Sequence, residues 1–205
     1  MSDIEDAYTE LNKIIVDLEN KFINPYLPTD PNIPPAAYSL DVKAYCVLSH
    51  AALEEYFERI ARKVLENFVV AIYDRRRKID RGILMLIRSH ADTIKFADET
   101  KETIHYLREL SETVNKRFSN YIHNNHGISA KEYLANLMLP LGIDIPRDPI
   151  LLNSLDQLAK ERGEYAHLGT VQKILSPEDA KAYVHDCLIL SEKIKKQAKT
   201  KIPNR

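Results

Sequence analysis

From Asp41 to about Tyr73 the apolar residues Val42, Tyr45, Cys46, Leu53, Tyr56, Phe57, Ile60, Val64, Phe68 and Ile72 recur at steps of three and four, with no proline or glycine among them. That period predicts one long core helix. A shorter amphipathic helix is expected over Asp3 to Phe22. The segment after it, NPYLPTDPNIPPAAYSL, holds five of the ten prolines. Each proline fixes φ and lacks a backbone donor, so this is an extended connector that lets the first helix reach the core. Further on, Ile83 to about Phe96 and Glu99 to Tyr121 carry the helical period. The first of these follows a basic turn, DRRRKIDRG (Asp74 to Gly82), and the second ends at HNNHG.

Three later helices announce their starts. Ser129 precedes AKEYLANLML; Asp148 and Pro149 stand as N-cap and first-turn proline before ILLNSLDQLAKERGEYAHL; and Ser176-Pro-Glu-Asp179 opens the last helix with a cap, a proline and two acids at the positive end of the dipole. Gly142 and Gly169 fall where C-terminal caps are expected. No run with strand period exceeds four or five residues, and no internal repeat is present. The fold class is all-α: a helical bundle with an additional N-terminal helix.

Composition narrows the function. A chain of 205 residues with 44% hydrophobic content can bury one sizeable core. We read a single domain, with residues 1–40 as helix and connector packed on a helical unit spanning 41–205. The net charge of −1 supplies no global attraction to nucleic acid or an anionic membrane, so such binding would fall to local patches. No apolar run approaches the roughly 18 residues of a membrane helix and no signal-peptide core is seen, so a cytoplasmic protein with no membrane partner is expected. Cys46 and Cys187 sit in apolar helical contexts without a CxxC or Cys/His ligand spacing, and read as reduced core thiols. His123 and His126 lack a third ligand and read as surface loop residues. No metal site and no cofactor is implied.

The stretch ERGEYAHLG, Glu161 to Gly169, places an arginine and a histidine five positions apart ahead of a glycine. On an ideal helix those positions are about 140° apart. Sharing a site within one chain would need the helix to end or distort between Arg162 and His167, which Gly163 and Gly169 permit. An Arg and a His near a C-terminal turn also simply suit the helix dipole.

Two longer stretches carry a resemblance. KAYCVLSHAALEEYFERIARKVLENF, Lys43 to Phe68, followed by LMLPLGIDIPRDPILLNSLDQLAKERGEYAHLG, Leu137 to Gly169, resembles the HEPN superfamily, with RiboL-PSP-HEPN-like proteins as its nearest branch. The resemblance implies an α-helical bundle that usually forms a homodimer, and in many members a metal-independent endoribonuclease with an R-x4–6-H motif. Arg162 and His167 match it and are the implied catalytic residues. Glu54 lies where such proteins carry an acid in the early helix, so it could orient Arg162; a solvent-facing glutamate is the alternative. His50, one turn before Glu54, shares its face. Members often place a polar residue directly after the arginine, where this chain has Gly163; Glu164 could substitute for it.

The chemistry of such a pair stands apart from any family. Without metal, the ribose 2′-OH attacks the adjacent phosphorus, leaving a 2′,3′-cyclic phosphate and a 5′-OH. Histidine suits the proton transfers, contributing typically about 10²–10⁴ in rate. The arginine fork holds the phosphate and meets the charge that builds in the transition state. One Arg and one His form half of a full set, and a two-fold dimer doubles it. The expected function is therefore an RNA-cleaving toxin or defence and stress effector, with RNA as substrate and a protein antitoxin or regulator as a possible partner. The alternatives are a catalytically inactive HEPN module for dimerisation or RNA binding, and a structural helical protein. Arg75 to Lys78 and the C-terminal run EKIKKQAKTKIPNR, read as a frayed tail, could add electrostatic capture of RNA.

Overall fold

Helices α1 (Asp3–Phe22) and α2 (Ser39–Tyr73) form where the hydrophobic period requires them. The computed structural model describes residues 3–73, 103–124, 130–168 and 175–202. After α2 come α3 (Thr103–Asn124), α4 (Ala130–Met138), α5 (Pro149–Leu168) and α6 (Pro177–Lys201), with short 3-10 turns at Asn24–Tyr26, Pro35–Ala37 and Leu139–Leu141. There is no strand among the described residues. The fold is all-α. The basic turn at 74–82, the stretch Ile83 to Phe96, His126, Ser129 and Gly169 lie outside the described residues.

α2 is the axis of the bundle and packs against each of the other five described helices. Its apolar positions therefore cannot form a single stripe: Tyr45, Cys46, Leu53, Phe57, Ile60, Ala61 and Val64 are buried on several sides at once. α1 is the opposite case. Ile4, Ala7, Leu11 and Ile15 are buried at three- and four-residue steps on one face, which seats it on α2 and α6.

The connector between α1 and α2 is fastened by side chains in place of helical hydrogen bonds. The Tyr26 hydroxyl donates to Asp41, while the Thr29 amide and hydroxyl donate to the two carboxylate oxygens of Glu178 at 2.9 and 2.7 Å. Buried Glu19 closes the same end. It accepts from the Tyr45 hydroxyl at 3.3 Å, stands 2.6 Å from His185 Nε2, and pairs with Lys181 at 3.2 Å. A carboxylate removed from water is tolerated only with such partners, and these three tie α1, α2 and α6 together.

The start signals act as expected at two helices. Asp148 Oδ1 accepts from the Ile150 amide at 3.2 Å, and Ser176 Oγ accepts from the Asp179 amide at 3.0 Å. Gly142 closes the turn after α4 with φ 68°, a left-handed conformation that a Cβ would disfavour. Cys46 and Cys187 are free, buried thiols. Burial, helped by nearby Glu161, pushes Cys46 up to about 12, so it is held as an unreactive thiol.

The reading of the C-terminal run as a frayed tail is corrected. α6 remains helical to Lys201 because its lysines have partners on α1: Lys195 and Lys199 both reach Glu5, and Lys195 also lies 3.9 Å from the centre of the Tyr8 ring. Counting charges along one segment could not reveal acids placed beside it by the fold.

Candidate functional site

α5 crosses α2 with two adjacent residues, Glu161 and Arg162, directed at α2. Glu161 takes Lys43 at 2.8 Å, and Arg162 Nη1 donates to Glu54 Oε1 at 2.6 Å. The two pairs differ in access to water. Lys43 and Glu161 are 4% and 13% exposed at their side chains, whereas Arg162 is 38% and Glu54 20% exposed.

Glu54 thus faces Arg162 across the two helices and not bulk solvent. Guanidinium carries five N–H donors in a planar fork. Among the described residues Arg162 makes one ion pair, with Glu54, so one edge of the fork is pinned while a third of the side chain still meets water. A fork held in direction on one side and solvated on the other has donors with which it can take an anion.

His50 lies one turn before Glu54 with its side chain only 6% exposed, and its Nδ1 is 3.7 Å from Glu54 Oε2. That is too long for a hydrogen bond. Burial pushes the Glu54 carboxyl up, but the neighbouring imidazole and the Arg162 guanidinium outweigh it and hold the group below the usual carboxylate range. Glu54 therefore carries a full negative charge at neutral pH.

The helix expected over ILLNSLDQLAKERGEYAHL forms, and it neither ends nor distorts between Arg162 and His167, so the condition for the two to share one face within one chain is not met. α5 is continuous from Pro149 to Leu168, through Gly163. Only Gly142 has positive φ among the described glycines. A Cβ built on Gly163 meets nothing within 4 Å, so the missing side chain leaves open space beside Arg162. The side chains of Glu164 and His167 lie outside the described part of the structure, as does that of His123.

Lys43 and Glu161 were not singled out from the sequence. The available signal was a lysine at a buried-face step of α2, which needs a charged partner somewhere in the fold. A cavity of about 230 Å³ lies between α1 and α2, lined by Asp3, Ile4, Arg59, Ile60, Arg62, Lys63 and Glu66. Its cations are already engaged: Arg59 with Glu10, Arg62 with Glu58, and Lys63 with Asp3 and Glu66. Local neutrality makes it a poor phosphate site. No group of three or more His, Cys, Asp or Glu is placed to hold a metal ion among the described residues. No described helix is long and apolar enough to cross a membrane.

Comparison with known proteins gives one result. The model of the family described as RiboL-PSP-HEPN matches residues 2–200, nearly the whole chain and every helix of the bundle. No curated protein and no solved structure matches.

Proposed function

The chain belongs to the RiboL-PSP-HEPN family, whose HEPN domains serve RNA-related, nuclease-type functions, and from that premise we propose that it is a metal-independent endoribonuclease. The observation that carries this reading is the Arg162–Glu54 pair: a guanidinium steered by a carboxylate 2.6 Å away and still open to solvent. In this role Arg162 grips the scissile phosphate and meets the charge that develops on it, and Glu54 fixes the fork. His167 moves the proton as the ribose 2′-OH attacks, and Glu164 takes the orienting place left by Gly163.

The continuous helix supports the dimeric part of the proposal. Positions 162 and 167 are about 140° apart around such an axis. Two copies related by a two-fold axis would supply two arginines and two histidines to one composite cleft, which a single helix face does not. The biological setting that fits is a cytoplasmic toxin or defence effector held by a protein antitoxin or regulator. The rival is a catalytically silent RNA-binding module, favoured by the glycine at position 163.

The test is cleavage of a single-stranded, fluorophore–quencher oligoribonucleotide. We expect cutting that persists in EDTA, leaves 2′,3′-cyclic phosphate ends, and falls at least about 10²-fold in His167→Ala while RNA binding survives. Cleavage that stops on chelation, or His167→Ala cutting as fast as wild type, overturns the mechanism. RNA binding without cleavage selects the silent module.

A further inference from the structure

His50 Nδ1 is a buried polar atom with no hydrogen-bond partner among the described residues. A buried nitrogen without a partner forfeits its hydration, and native structures keep few of them. The imidazole faces Glu54 Oε2 at 3.7 Å, while the other oxygen of the same carboxylate holds Arg162. Less than 1 Å of movement would turn that approach into a hydrogen bond.

We propose that His50 is a positioning residue of the Arg162 site, donating from Nδ1 to Glu54 Oε2 when an anion draws the guanidinium outward, so that the carboxylate is gripped from both sides. This rests on the reading of Arg162 as a phosphate clamp. His50 does not touch substrate, being buried; it acts through Glu54. Arg162 shared between Glu54 and a phosphate pulls on the carboxylate, and a donor on the far oxygen keeps Glu54 from following. The charged groups around it fit this division of work. Lys43, on the same helix, is taken by Glu161, and Arg162 is the cation that α5 directs at Glu54.

A merely structural histidine and a positioning one predict opposite pairings of stability and activity. His50→Leu removes the unsatisfied nitrogen and keeps the site filled, so its melting temperature should equal or exceed that of wild type. Its affinity for the oligoribonucleotide and its kcat/KM should fall roughly tenfold, the worth of a hydrogen bond to a charged group. His50→Asn, whose amide nitrogen occupies the place of Nδ1, should recover most of that loss. Made on top of Glu54→Ala, His50→Leu should cost nothing further, because the path through Glu54 is already cut.

His50→Leu cleaving as well as wild type overturns the role. So does a loss that tracks a lowered melting temperature, or a loss that adds in full to that of Glu54→Ala. A wild type that neither binds nor cleaves the oligoribonucleotide overturns the reading of the site, and this role with it. A wild type that cleaves, with His50→Leu unchanged, sinks this role alone.

Discussion

Two ion pairs join α2 to α5 through neighbouring residues, and they are built to opposite ends. Lys43–Glu161 is sealed, with both heads nearly out of water, beside the buried thiol of Cys46. Glu54–Arg162 is open, with the cation the more exposed partner. In the sealed pair each charge exists to satisfy the other, because either one alone would be stranded in a low-dielectric interior. In the open pair the attraction is screened by water, so the pair contributes little to folding and leaves the arginine able to accept a second anion. Adjacent positions on one helix thus keep one charge nearly out of water and the other within its reach.

The sharpest way to break this comparison is to remove one cation from each pair. Lys43→Met should lower the free energy of unfolding in urea by about 3–5 kcal/mol, since it leaves the largely enclosed Glu161 without its partner. Arg162→Ala should cost no more than about 1 kcal/mol, as expected for a solvent-screened pair. Equal losses would mean that Arg162 is structural as well. Activity should rank the other way: Arg162→Ala should lower cleavage of the oligoribonucleotide by about 10²-fold, or about 2.7 kcal/mol of transition-state stabilisation, and weaken RNA binding with it.

Acid sharpens the contrast further. The Glu54 carboxyl lies below its ordinary value of 4.5, so its contribution to stability is complete above that value and is lost as pH falls through the depressed one. Urea unfolding of wild type and Glu54→Gln at pH 7 and pH 3 should show a difference between the two proteins at pH 7 that shrinks at pH 3. A difference independent of pH would refute the charge interaction.

The smallest effect belongs to Gly163. With open space around it and helical backbone through it, Gly163→Ala should raise stability by about 0.5–1 kcal/mol in the same unfolding assay. Gly163→Asn sets its Cβ in the same open space and should raise cleavage if an orienting side chain is what that position lacks.

Periodicity and caps made the architecture readable because they are local. The steps of Val42 to Phe68 on α2 and the Asp148 and Ser176 caps need only a few neighbouring residues to be recognised. The site was less legible. Glu54 and Arg162 meet across 108 positions of sequence, and nothing in the period of α2 distinguishes Glu54 from a solvated glutamate such as Glu55. The resemblance, not the pattern, pointed to it. Gly163 left the question of the shared face open: glycine permits a helix to end but does not compel it, and the turns on either side carry α5 through to Leu168. Polar residues at buried-face steps, Lys43 and His50 among them, were the signal that the sequence offered and that the apolar period alone passes over.

The reach of Lys195 and Lys199 to Glu5 has a topological consequence. The first turn of α1 and the last turns of α6 are clasped together, so the path of the chain is nearly a closed ring. A fluorophore, tag or fused domain attached near residue 3 or near residue 201 would emerge from the same patch. Energy transfer between dyes placed at those two positions would therefore be close to its maximum in the folded protein, and its loss would report the parting of α1 from α6.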